Sequence, residues 1–173
     1  MRVREGAYTV HVHVIEARDV KPQDSAGVSD IFVEAELLGA RKQTPVHKAT
    51  LGAVIDYVMV FDVPAMTRAL LDEAVLNIAV MDWDALSRND VIGRYALDLA
   101  WVYFQDAHEV YSRWVSIADV ATDARSSGLT GFLRLSVVVL GPEDTARVRA
   151  PTPRAASPAH ACGASPRGRC GNA

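Results

Sequence analysis

Asp82-Trp83-Asp84-Ala85-Leu86-Ser87-Arg88-Asn89-Asp90, followed at once by Val91-Ile92-Gly93, is the stretch that decides how the rest of the chain is read. Residues two apart on a strand point the same way. Asp82 and Asp84 therefore leave an extended segment aiming into one space, and Asp90 returns to it after a turn. Like charges this close raise each other's pKa and cost energy when all are ionised. A cation among them removes that cost. Ca²⁺ suits such a loop better than Mg²⁺, because it takes about six to eight oxygen ligands in loose geometry. Asp, Ser and Asn are also ordinary turn formers, so this loop alone leaves both readings open.

On either side of the loop, Val75 to Asp82 alternates, with Leu76, Ile78 and Val80 on one side, and Val91 to Leu97 returns as its partner strand. A second acidic turn lies upstream, Lys21-Pro22-Gln23-Asp24-Ser25-Ala26-Gly27-Val28-Ser29-Asp30, with two aspartates six residues apart. It is framed by strands. Tyr8 to Glu16 sets Val10, Val12 and Val14 against Thr9, His11 and His13, and Ile31 to Leu37 alternates again. His11 and His13 share a face without a third ligand nearby, which reads as a pair on a sheet surface.

Arg41 to Thr50 reads as a strand carrying Arg41, Lys42, His47 and Lys48, either a solvated edge or a contact for anionic headgroups. Val58 to Val63 reads as a buried strand ended by Pro64, and Met66 to Glu73 as a short surface helix. Trp101, Tyr103, Phe104, Tyr111 and Trp114 fall in a connection and are expected to pack at the core edge. Arg113 to Ile117 makes a brief strand, Ala118 to Thr130 a polar loop, and Gly131 to Leu140 a last strand with Leu133, Leu135, Val137 and Val139 inward. About eight short strands between turn signals predict an all-β protein, an eight-stranded antiparallel β-sandwich over residues 1–141. Residues 142–173, rich in Pro, Ala, Arg, Ser and Gly without a period, are expected to be a disordered C-terminal tail.

Composition narrows the function classes. Half of the 173 residues are hydrophobic, enough for one domain with a real core. The net charge of −3 conceals a split, since five Arg in residues 142–173 face only Glu143 and Asp144 and leave 13 basic against 19 acidic residues before them. No nucleic-acid partner is expected from that balance. Cys162 and Cys170, the two cysteines, both lie in the tail and predict a reducing, cytoplasmic setting. No apolar run approaches the roughly 18 residues of a membrane span. His47, His108 and His160 are scattered, with no nucleophile motif, phosphate-binding glycine loop or zinc spacing, so no enzyme is expected.

The two acidic turns on one sandwich resemble the Ca²⁺-binding loops of a C2 domain. Asp24 to Asp30 is similar to the family's first loop, and Asp82-Trp83-Asp84 through Asp90, Ile92 and Gly93 to its third. Val14-Ile15-Glu16-Ala17-Arg18-Asp19-Val20 resembles the strand entering loop one, and the likeness covers about residues 7–141. Trp114 to Asp119 and Gly131 to Asp144 resemble more narrowly the end of a ferlin C2 domain. The strand order is then the circular arrangement called type II. Ile31-Phe32 and Ile55-Asp56-Tyr57 depart from the family's usual Pro-Tyr and Trp-Asn-Glu, at packing positions and not at ligands.

The resemblance implies that Asp24, Asp30, Asp82, Asp84 and Asp90 are side-chain ligands for two shared Ca²⁺ ions. Carbonyls near Gln23 and Trp83 and the hydroxyl of Ser87, a peripheral oxygen, would complete the shells. It implies Ca²⁺-dependent docking on anionic phospholipid membranes, peripheral on the cytoplasmic side, with Val28, Leu86 and Arg88 at the bilayer, and a role in membrane trafficking or fusion. The competing expectation is a Ca²⁺-independent C2 domain that binds protein partners.

Overall fold

The computed structural model describes residues 3–22, 27–85, 88–119 and 128–144. Among the described residues nine strands follow one another as β1 (Gly6–Arg18), β2 (Ser29–Leu37), β3 (Ala40–Gln43), β4 (His47–Thr50), β5 (Ala53–Met66), β6 (Val75–Asp82), β7 (Asp90–Asp98), β8 (Glu109–Asp119) and β9 (Gly128–Leu140). Helix α1 (Arg68–Glu73) precedes β6, and α2 (Leu99–Tyr103) follows β7. The order β3-β2-β6-β7-β8-β9-β1-β5, with β4 also on β2, divides into two antiparallel layers, because β7 and β8 meet in register only at Arg94 and Ala118. This is an all-β sandwich. It opens on the strand that leads into the first acidic turn and closes with β9 laid along β1, the type II order.

The alternating runs fill the space between the layers. Val10, Val12 and Val14 of β1 are fully buried, as are Leu133, Leu135, Val137 and Val139 of β9, opposite Val33, Ala35, Ile78 and Val80. A bulge between Val14 and Glu16 then shifts the parity of β1. Ala17 takes the next inward place, and Glu16 stays buried at 8% exposure beside Arg18, whose Nε donates to Glu16 Oε1 at 2.7 Å. A second bulge between Val80 and Met81 on the β6–β7 pair accompanies the buried Ile92. Gly93 beside it packs so closely that a Cβ there would lie 2.2 Å from Thr130 Oγ1 and 3.2 Å from Ile117 Cβ.

Several expectations need correcting. The segment Arg41 to Thr50 is two strands, not one, which raises the count from eight to nine. Pro45 cannot donate to a ladder, and the gap is closed by Thr44, whose N–H reaches Val33 O at 2.9 Å and whose Oγ1 accepts from Val33 N–H at 3.0 Å. Pro64 does not end its strand. β5 runs through it to Met66, with Pro64 at a register shift on β1 where a missing N–H is tolerated. Within that strand Val58 faces outward at 48% exposure, while Met59, Phe61 and Val63 face in.

The brief strand at Arg113 extends from Glu109 to Asp119, hidden from a periodicity reading by a shift between Val110 and Arg113. Of the aromatics expected at the core edge only Tyr103 is buried. Trp101, Phe104 and Trp114 are 45%, 43% and 39% exposed. Pro142 to Asp144 remain attached to the folded body, since Asp144 Oδ2 accepts from Gly141 N–H at 2.8 Å and Glu143 pairs with Arg4. The rest of the expected tail, Thr145 onward, lies outside the described residues.

Candidate cation and membrane site

Strand direction brings the acidic turns together. β1 ends, β2 begins, β4 ends, β5 begins, β6 ends and β7 begins at one pole of the sandwich, as the register pairs Ser29 with Thr50, Ala17 with Ala53, Ile31 with Asp82, and Asp82 with Asp90 show. The described parts of connections 19–28 and 83–89 therefore share that pole with connection 51–52.

Asp30 is its hub. Its N–H donates to Asp82 Oδ1 at 2.8 Å, its carbonyl accepts from Trp83 N–H at 2.8 Å, and its own Oδ1 accepts from Ala49 N–H at 2.8 Å. One residue thus ties the start of β2 to the end of β6 and to the end of β4. Asp82 is 7% exposed although it ends a strand, because Asp30 caps one of its oxygens and Ile31 lies across from it. Asp90 is its direct cross-strand partner and is exposed.

Asp84 stands further out, where its N–H donates to Asn89 Oδ1 at 3.1 Å and draws the two ends of the turn together. Trp83, between the two aspartates, is 39% exposed, and Lys48 Nζ lies 5.5 Å from the centroid of its ring, within range of a cation–π contact. Val28, at the end of the first turn, is 37% exposed. Arg88 is also exposed.

The structure thus brings Asp30, Asp82, Asp84 and Asp90 to one pole, with Val28 and Arg88 beside them. Gln23, Asp24, Leu86 and Ser87, also expected at this site, lie outside the described residues. Among the described residues no three acidic or imidazole groups are gathered tightly enough to hold a metal ion. The donor set is nonetheless all carboxylate oxygen, the chemistry of a hard cation such as Ca²⁺. Lys48, Ala49, Trp83 and Asn89 are contributors whose contacts the sequence does not announce. Asn89 carries a signal as a turn former beside Asp90. Ala49 carries none, since it acts through its main chain.

No helix among the described residues is long and apolar enough to cross a membrane. Comparison with known proteins agrees with the geometry. The chain is 38% identical over 101 residues to human synaptotagmin-3, which covers 57% of this chain and 17% of that protein. It is 26% identical over 145 residues to Ferlin 1 of Toxoplasma gondii, covering 79% of this chain and 10% of that protein. It spans only a small part of the length of either relative. Its fold superposes on a C2 domain of plant extended synaptotagmin 1 with a TM-score of 0.60 at 19% identity, covering 79% of this chain and 96% of that one. The C2 domain profile matches residues 8–117, and the chain belongs to the C2 domain family.

Proposed function

We propose that this domain is a Ca²⁺-dependent phospholipid-binding module that docks peripherally on the anionic, cytoplasmic face of a membrane, with a ferlin-like role in trafficking or fusion. The observation that carries the reading is the convergence of Asp30, Asp82, Asp84 and Asp90 at one pole beside the exposed Val28 and Trp83. The family resemblance adds Asp24, which lies outside the described residues, as a fifth carboxylate. Such a tip, near −5 without metal, is repelled by an anionic leaflet, and two Ca²⁺ ions bring it near −1 and offer open coordination positions to lipid phosphate. Lys48 and Arg88 add attraction to the same headgroups, and Trp83 supplies a ring suited to the interface.

The test is sedimentation with phosphatidylserine and with phosphatidylcholine vesicles across a Ca²⁺ series. Pelleting is expected only with Ca²⁺ and anionic lipid, and Asp82→Asn combined with Asp84→Asn abolishes it while the circular dichroism spectrum stays native. Pelleting by the double variant at the wild-type level overturns the ligand assignment.

One observation favours a second reading, a Ca²⁺-independent protein-binding domain. Trp101 and Trp114 stand exposed beside a cleft of about 340 Å³ between β7 and β8, floored by Leu97, Val110 and Leu135. Failure of isothermal titration to detect Ca²⁺ binding would favour it.

A further inference from the structure

The end of β4 carries no acidic residue, yet it touches both acidic turns. Ala49 holds a left-handed conformation, φ +50°, which a residue with a Cβ adopts only at a cost. That conformation aims its N–H at Asp30 Oδ1, 2.8 Å away. The preceding side chain, Lys48, lies over the ring of Trp83. Thr50, which follows, caps the corner through its Oγ1, accepting from Gly52 N–H at 3.1 Å and donating to Gly52 O at 2.6 Å.

We propose that Ala49 is a positioning residue of the cation cup. Its main-chain N–H fixes the carboxylate of Asp30 before any ion arrives, so that one oxygen is held by the end of β4 and the other is presented to the pole. This rests on the Ca²⁺ reading above and assigns to the end of β4, at that pole, the role of setting affinity. A metal-ligating carboxylate is oriented by its outer hydrogen-bond partners, and losing such a partner typically lowers metal affinity by about 10–100-fold. The strain at Ala49 persists because the Asp30 bond and the Thr50–Gly52 cap over-determine it.

The experiment titrates Ca²⁺ calorimetrically into wild type, Ala49→Pro and Ala49→Gly. Proline removes the N–H and cannot adopt a left-handed φ, and its affinity is expected to fall by about tenfold or more. Glycine keeps the N–H and adopts that φ freely, so it retains wild-type affinity within about twofold. A proline variant that folds and binds Ca²⁺ as wild type does overturns the proposal.

The amide of Ala49 in wild type, followed by ¹⁵N-resolved NMR, decides the matter even if the proline variant does not fold. It is expected to be protected from solvent exchange without Ca²⁺ and to shift on titration together with Asp30 and Asp82. An Ala49 amide that exchanges freely, or stays still while those two move to saturation, refutes the role assigned to it. If wild type takes up no Ca²⁺ at all, the failure lies in the Ca²⁺ reading, and the inference falls with it.

Discussion

Asp82 serves two purposes that substitution can separate. Its Oδ1 accepts the N–H of Asp30 in a nearly buried position, and its charge is proposed to hold Ca²⁺. Asparagine keeps the acceptor and removes the charge, whereas alanine removes both. A buried donor left without a partner costs about 1–3 kcal/mol. A domain of this size loses roughly 4 °C of melting temperature per kcal/mol. Asp82→Ala is therefore expected to melt about 4–12 °C below wild type in EGTA, and Asp82→Asn within about 2 °C of it. Ca²⁺ gives the opposite test. An ion that binds only the folded state stabilises it by RT ln(1 + [L]/Kd), about 2.7 kcal/mol when free Ca²⁺ is about a hundredfold above Kd. With a Kd near 10 μM, within the sensor range, about 1 mM Ca²⁺ is expected to raise the wild-type melting temperature by about 10 °C and both variants by far less. Scanning fluorimetry of three proteins in two buffers reads the whole scheme. If Asp82→Asn loses as much stability in EGTA as Asp82→Ala, the charge itself supports the apo fold. If it keeps the full Ca²⁺ shift, Asp82 is not a ligand.

Gly93→Ala is expected to cost about 1–3 kcal/mol in urea unfolding, as overpacking does, because the new methyl meets Thr130 Oγ1; adding Thr130→Ala should recover part of the loss, and strict additivity would refute the clash. Leu135→Ala opens the floor between the layers, where Leu135 is fully buried, and is expected to lose about 2–5 kcal/mol in the same assay. Trp83→Ala leaves calorimetric Ca²⁺ affinity nearly unchanged but weakens binding to phosphatidylserine vesicles roughly tenfold, since most of an indole's apolar area would be re-exposed.

What could be read from the sequence followed a physical rule. β6 was legible to the residue, Val75 to Asp82, because its inward positions are all aliphatic and its end is marked by charge. The four inward residues of β9 were legible for the same reason. Period-two reasoning fails where parity changes, and the sandwich changes parity at each bulge. Glu16 looked like the next residue of an alternating strand, yet the shift after Val14 gave the apolar core Ala17 and left Glu16 buried in an ion pair with Arg18. Pro64 looked like a stop because its ring usually is one, but a register shift beside Gly6 and Met66 accommodates it. Trp101 and Trp114 were assigned to the core edge from their place in a connection, and their exposure follows from the gap where β7 and β8 part company. In the site, the aspartates were visible because side chains carry their chemistry. The Ala49 N–H was invisible because every non-proline residue owns one, and only the left-handed turn of the chain gives it a target.

The same hub explains how the pole can change charge without endangering the fold. Ile31, Val80 and Ile92 are essentially fully buried one layer beneath Asp30, Asp82 and Asp90, so the apolar core closes before the acidic cup begins. The cup is joined to that core through main-chain and cap hydrogen bonds: Asp30 to Asp82, Trp83 to Asp30 and Ala49 to Asp30. None of these bonds needs a carboxylate to lose its charge, and each leaves an oxygen of Asp30 or Asp82 uncommitted to it. On the proposed Ca²⁺ reading, an arriving ion adds bonds to a frame already held in place, and its binding energy goes to the proposed membrane contact and not to folding the loops' anchors.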